Sequence, residues 1–155
     1  MNKKLLIFLV AAVLLAAIAV TVWGFGSSRA EGNDFDSVCG VGDEVKFCLA
    51  QVNRRAADEI VTMSQLTNED NKELWAELKS VLDSYSYVKN DSLPNSSDYV
   101  CISLALSETV LYRIEVYTDL SVIIVGSSDG GSFRAIAPDG KESKLYSQLF
   151  EIIAK

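Results

Sequence analysis

The chain has 155 residues, 49% of them hydrophobic and 9% aromatic, with 14 basic and 21 acidic side chains and a formal net charge of −7. It contains no histidine, which removes the commonest general base, the usual zinc ligand and every Ser-His or Cys-His nucleophile arrangement. The acidic balance argues against nucleic-acid binding and against adhesion to anionic lipid, both of which need a basic footprint.

The chain opens Met1-Asn2-Lys3-Lys4, and Leu5 to Phe25 then run for 21 residues without a charge. At about 1.5 Å per residue, a helix of that length spans the roughly 30 Å hydrocarbon core of a bilayer. Lys3 and Lys4 stay on the cytoplasmic side by the positive-inside rule, so everything after Phe25 is expected outside. Residues 1–25 therefore read as a signal peptide or a membrane anchor. Trp23 suits an interfacial anchor, whereas Ser28-Arg29-Ala30 and Ala17-Ile18-Ala19 place small residues as a signal peptidase requires. No cysteine stands near the end of the apolar run to take a lipid. Residues 26–33 form a Gly/Ser-containing spacer, and 34–155 have the size of one domain. Beyond residue 30, 11 basic residues face all 21 acidic ones.

In the domain, Val45, Phe47 and Leu49 alternate along a predicted strand over 45–52, and a shorter strand follows at 59–63. Leu74, Trp75, Leu78, Val81, Leu82 and Tyr85 recur at three- and four-residue spacing, which predicts an amphipathic helix over 68–84. Thr67 and Asp70 are spaced as a variant of its capping box. Residues 88–98 are polar and read as an exposed loop edged by Tyr85, Tyr87 and Tyr99. Period two then returns. Val100, Ile102, Leu104 and Leu106 face one way, and Cys101, Ser103 and Ala105 the other. Val110, Tyr112, Ile114 and Val116 make the next strand, and 122–125 and 133–137 complete an antiparallel meander with turns at 107–109, 119–120 and 127–131. Leu145, Leu149, Ile152 and Ile153 predict a closing amphipathic helix. The expected fold is α+β, in the order ββαββββα, with a mostly antiparallel sheet and two amphipathic helices packed on it.

No motif for chemistry survives inspection. Gly40-Val41-Gly42 lacks the third glycine of a phosphate cradle and leads into a strand instead of a helix. Asn33-Asp34-Phe35-Asp36 begins like a calcium loop, but Val38 and Cys39 stand where an oxygen ligand and a glycine belong. Ser143-Lys144 lacks the Ser-x-x-Lys spacing of a nucleophile and its base. The three cysteines have no CxxC spacing. Cys39 and Cys48 flank a turn-like stretch, so a hairpin would bring them within reach of a disulfide. Cys48 with Cys101, or three buried thiols serving as small hydrophobes, are the alternatives. No catalytic residue, cofactor or metal site is expected. The candidate interaction site is the loop, with Tyr87 as its exposed aromatic residue and Lys89, Asn90, Asp91, Pro94 and Asn95 beside it.

A lysine-led apolar leader, a short spacer and a compact alternation of strands with two helices resemble the small exported, uncharacterised α+β proteins of Gram-positive bacteria. The resemblance covers the layout of the whole chain and implies an extracytoplasmic location. The leading expectation is a membrane-anchored, non-enzymatic interaction or sensor domain that binds a protein or envelope component through its sheet or the 88–98 loop. The alternatives are a secreted inhibitor or small-ligand-binding protein released by cleavage, and a histidine-free enzyme with a perturbed carboxylate or lysine in a cleft.

Overall fold

In a strand, successive side chains point to opposite faces, so one register decides what an entire strand buries. The computed structural model describes residues 32–67, 71–108, 111–126, 130–139 and 143–155. The predicted leader 1–25, most of the spacer, Asp70 of the predicted capping box, residue 109 of the 107–109 turn, Val110 of the next predicted strand and residues 127–129 of the 127–131 turn lie outside the described residues. Among the described residues no helix is long and apolar enough to cross a membrane.

The order is α1 (Phe35–Cys39), β1 (Phe47–Ala56), β2 (Glu59–Thr67), α2 (Asn71–Asp83), β3 (Ser86–Lys89), β4 (Asp98–Ala105), β5 (Leu111–Tyr117), β6 (Ser121–Val125), β7 (Gly131–Ile136) and α3 (Leu145–Ile153). The strands form one antiparallel sheet in the order β2-β1-β4-β5-β6-β7-β3. The domain is thus α+β, as its pattern predicts, and the meander β4 to β7 is in place. The expected order ββαββββα is corrected by two elements. Asp34 caps α1 by accepting the Ser37 N–H at 2.7 Å, a four-residue signal hidden beside a failed calcium pattern. Residues 86–89, read partly as loop, pair with Ile136 to Phe133 and become the edge strand β3.

Cys48, Ala50 and Val52 of β1 stand opposite Leu104, Ile102 and Val100 of β4. Ile114 and Val116 of β5 and Ile124 and Val122 of β6 continue the same rows. All are buried in one apolar core with Leu74, Leu78 and Leu82 of α2 and Leu145, Leu149, Ile152 and Ile153 of α3. The predicted inward side of the first strand is therefore corrected. Val45 is buried ahead of β1, but Phe47 is 43% exposed and Leu49 only half-buried, because pairing with β4 turns Cys48 inward. Tyr85 Oη ties the two long helices together, donating to Gln148 Oε1 at 2.8 Å and accepting the Lys144 N–H at 3.3 Å.

The N-terminal segment is held by three kinds of contact. Phe35 packs on Trp75 and Tyr87, with ring centroids 6.4 and 5.6 Å apart in tilted geometry. Trp75 Nε1 donates to the Gly42 carbonyl at 3.0 Å. Lys79, 8% exposed, extends its ammonium to Asp83 at 2.8 Å, Asp36 at 2.9 Å and Asp43 at 3.9 Å. Burial works against its charge, but the hydrogen bonds it donates to Asp83 and Asp36 outweigh it and hold the ammonium well above the usual lysine range. Gly40 takes the left-handed conformation that ends α1, with φ at 69°.

Two substitutions test these features. Lys79→Met is expected to lower unfolding free energy by about 1–2 kcal/mol, because it removes a mostly buried ammonium whose carboxylate partners are themselves largely solvated. Chemical denaturation would measure it, and an unchanged midpoint would refute a clamp at this point. Ala57 opens the two-residue β1–β2 turn at φ 51°, the position glycine takes in a II′ hairpin. Ala57→Gly should raise the unfolding free energy by roughly 0.5–1 kcal/mol, read as a higher denaturation midpoint at unchanged slope.

Candidate interaction face

Helices cover one side of the sheet, and the other side is formed by the residues of opposite parity. Across it run Asn53, Tyr99 and Tyr117; then Gln51, Cys101, Glu115 and Ile123; then Leu49, Ser103, Arg113 and Val125; then Phe47, Ala105 and Leu111. Arg134, opposite Ser121 and Val88, lies on the same side.

The Tyr99 end is a packed cluster. The Tyr99 and Tyr117 rings stack 5.0 Å apart at 23°, and Arg55 Cζ lies 5.9 Å above the Tyr99 ring. Tyr99, Tyr117 and Cys101 are buried. Glu115, 8% exposed, pairs with Arg113 and accepts the Tyr117 hydroxyl at 2.6 Å. Burial and the bond to Glu115 raise the Tyr117 phenol above its ordinary range. A buried carboxylate is tolerable here because it is both paired and hydrogen-bonded. Tyr99 Oη and Ser132 Oγ are buried without a hydrogen-bond partner among the described residues, which leaves two polar groups on this face unsatisfied. At the opposite end the face is apolar and open, with Phe47 43%, Val125 55% and Leu111 68% exposed. Toward the β2 edge it is amide-rich: Gln51 Nε2 donates to Gln65 Oε1 and Thr62 Oγ1 donates to Asn53 Oδ1, both at 3.0 Å. Sequence reasoning singled out the small side chains of β4 but did not find Arg55, Arg113 or Glu115, which only strand pairing assembles.

The loop residues separate. Tyr87, expected as the exposed aromatic of an interaction loop, is fully buried in β3, and its hydroxyl donates to the Leu82 carbonyl at 2.8 Å. The reason is parity: Tyr87 stands opposite Ala135 on the helix-covered side. Lys89 lines a cleft of about 460 Å³ with Asn33, Ser37, Val38, Gly130, Gly131 and Phe133. Asn90 donates its N–H to the Ser132 carbonyl at 2.9 Å, and its side chain accepts from the Ser92 N–H at 3.3 Å. Asp91 is exposed and Pro94 half-buried. Asn95 donates its N–H to Asp119 Oδ2 at 2.7 Å, and Asp119 Oδ1 accepts from the Ser121 N–H at 3.2 Å. This pins the loop to the β5–β6 turn, leaving Leu93 82% exposed.

The weighed bridge between Cys39 and Cys48 is not made; the structure holds Cys39, Cys48 and Cys101 as buried thiols. Cys39 closes α1, whereas Cys48 points into the core opposite Leu104. Burial pushes the Cys39 thiol up to about 11 and the Cys48 thiol up to about 12, and raises Cys101. All three are therefore protonated at neutral pH, the unreactive form. Among the described residues no group of three or more Cys, Asp or Glu side chains is placed to hold a metal ion.

Fold and site together define a helix-backed antiparallel sheet with a partly aromatic, arginine-bearing open face. No family model matches the chain, and neither curated proteins nor solved structures include a match to it.

Asp119 offers a pH test of the pinned loop. Desolvation raises its pKa, but the N–H donors of Asn95 and Ser121 outweigh that and leave it lowered. A lowered folded pKa stabilises above the ordinary carboxylate value and is lost as pH falls. Asp119→Asn should melt below the parent at neutral pH, and the gap should close below about pH 4. Parallel melting curves across that range would exclude the role.

Proposed function

We propose that this chain is a non-enzymatic binding domain, exported and held at the outer side of the cytoplasmic membrane by residues 1–25, which takes a protein or envelope component on its open sheet face. The observation that carries this reading is the asymmetry of the sheet: helices α2 and α3 bury one side, and the other keeps Phe47, Leu111 and Val125 in solvent next to arginines. Exposed apolar groups rimmed by polar ones on an otherwise acidic surface are what a recognition face requires. The lack of histidine and the protonated, buried thiols favour binding over chemistry. Export rests on the charge and length of the leader. The loop over 90–97 borders the face but is tied down at both ends, so it supports recognition more than it leads it.

The test uses the full chain expressed in a Gram-positive host with a photo-crosslinking residue at position 111 on the open face, or at Glu77 on α2 as control. Adducts are expected from position 111 alone, on intact chain in the membrane fraction. No adduct at position 111 would sink the binding reading. Recovery from the medium with a new N-terminus at Glu31 or Val20 would replace the anchor by a released binder.

A further inference from the structure

The open face and the rest of the domain differ in charge. Beyond residue 30 the sequence carries 11 basic against 21 acidic residues. Among the described strand residues, the open face instead presents Arg55, Arg113 and Arg134 against one carboxylate, Glu115, which is buried and taken by Arg113 and Tyr117. The shape of the face is also directional. Along β4 its side chains are the small, half-buried Ala105 and Ser103, between Phe47 and Leu49 on β1 and Leu111 and Arg113 on β5, followed by Cys101 and Tyr99, which are buried. Strands lie about 4.8 Å apart, so the trough from β1 to β5 is about 10 Å wide, which fits one polypeptide segment with its side chains. One end of this trough is walled by the exposed Phe47 and Leu111; the other closes at Arg113, with the exposed Val125 beside it, and at the buried cluster of Cys101, Tyr99 and Tyr117, over which Arg55 stands.

Building on the binding role proposed for this face, we infer that its partner is an acidic polypeptide segment with apolar anchors, laid along β4 so that its apolar side chains cover Phe47 and Leu111 and its carboxylates meet Arg113 and Arg55. Arg113 is engaged with Glu115, yet 47% of its side chain remains exposed, and a guanidinium has five donors to share. Charge decides between a segment and a bilayer. An anionic membrane surface would meet the field of the whole acidic domain, whereas a segment seated in the trough meets the local arginines, because charges farther than a Debye length of about 8 Å are screened. The arginines then govern selectivity and rate of encounter, and the apolar end supplies most of the affinity.

The probe is a short labelled peptide of leucine and glutamate in amphipathic order, compared with versions carrying lysine for glutamate or serine for leucine. Binding to the full chain in neutral micelles is read by fluorescence anisotropy at low and high salt. The leucine–glutamate peptide should bind, weaken with salt, and lose roughly tenfold in affinity with either Arg113→Gln or Leu111→Ser. Leu111 is 68% exposed, so its replacement leaves the core intact and guards against a folding artefact at Arg113. Equal binding of the lysine peptide overturns the charge assignment. So does binding to phosphatidylglycerol vesicles without peptide binding, or self-association abolished by Leu111→Ser. If crosslinks form from position 111 but the glutamate peptide is not preferred, the partner has another chemistry and only this inference falls; if neither occurs, both readings fall.

Discussion

The antiparallel register of β1 with β4, which sets Cys48 opposite Leu104 and Val52 opposite Val100, is the constraint on which the other features rest. A slip of one residue would turn Phe47 and Leu49 toward the helices and send Cys48, Ala50 and Val52 into solvent. The chosen register puts small side chains under α2 and α3. Cys48 and Ala50 share one buried core with Trp75, Leu78 and Leu149. The larger Phe47 and Leu49 are left on the far side. The exposed apolar end of the open face is thus a consequence of how the core is filled.

A second set of contacts closes the domain at its N-terminal end. The five-residue α1 is far too short to be stable alone. It persists because Phe35 inserts between Trp75 and Tyr87, and because Lys79 gathers carboxylates from α1, the following loop and α2. Tyr87 serves this purpose from the edge strand β3, with its hydroxyl satisfied by the end of α2. The Asn33 bridge to Tyr87 extends the same strand pairing ahead of α1.

On the open face, polarity is graded instead of mixed. Stacked tyrosines, two arginines and a buried glutamate form a rigid floor at one end, and the aliphatic and aromatic side chains at the other are free to meet a partner. The floor is held by charge-assisted hydrogen bonds that do not depend on any partner. Preorganisation of this sort lowers the ordering cost of association.

Much of this architecture was legible in the sequence because its signals are local. The spacing of Leu74, Trp75, Leu78 and Leu82 marks α2, that of Leu145, Leu149, Ile152 and Ile153 marks α3, and alternation from Val100 onward marks the meander. These are periodicities of a single element, set by 3.6 or 2 residues per repeat. By itself the sequence determined the α+β class, the two long helices, the central strands and the absence of histidine chemistry. It also held the Asp34 cap and the short 86–89 strand, but both are too brief to outweigh the polar residues around them. Only the tertiary structure decided that Tyr87 is buried, that Cys39 and Cys48 occupy separate surroundings, and that Arg55, Arg113 and Glu115 meet on one face. Each of those facts depends on which residues stand opposite one another across strands far apart in sequence, and pairing of that kind is selected by the filling of the whole core, not by any segment alone.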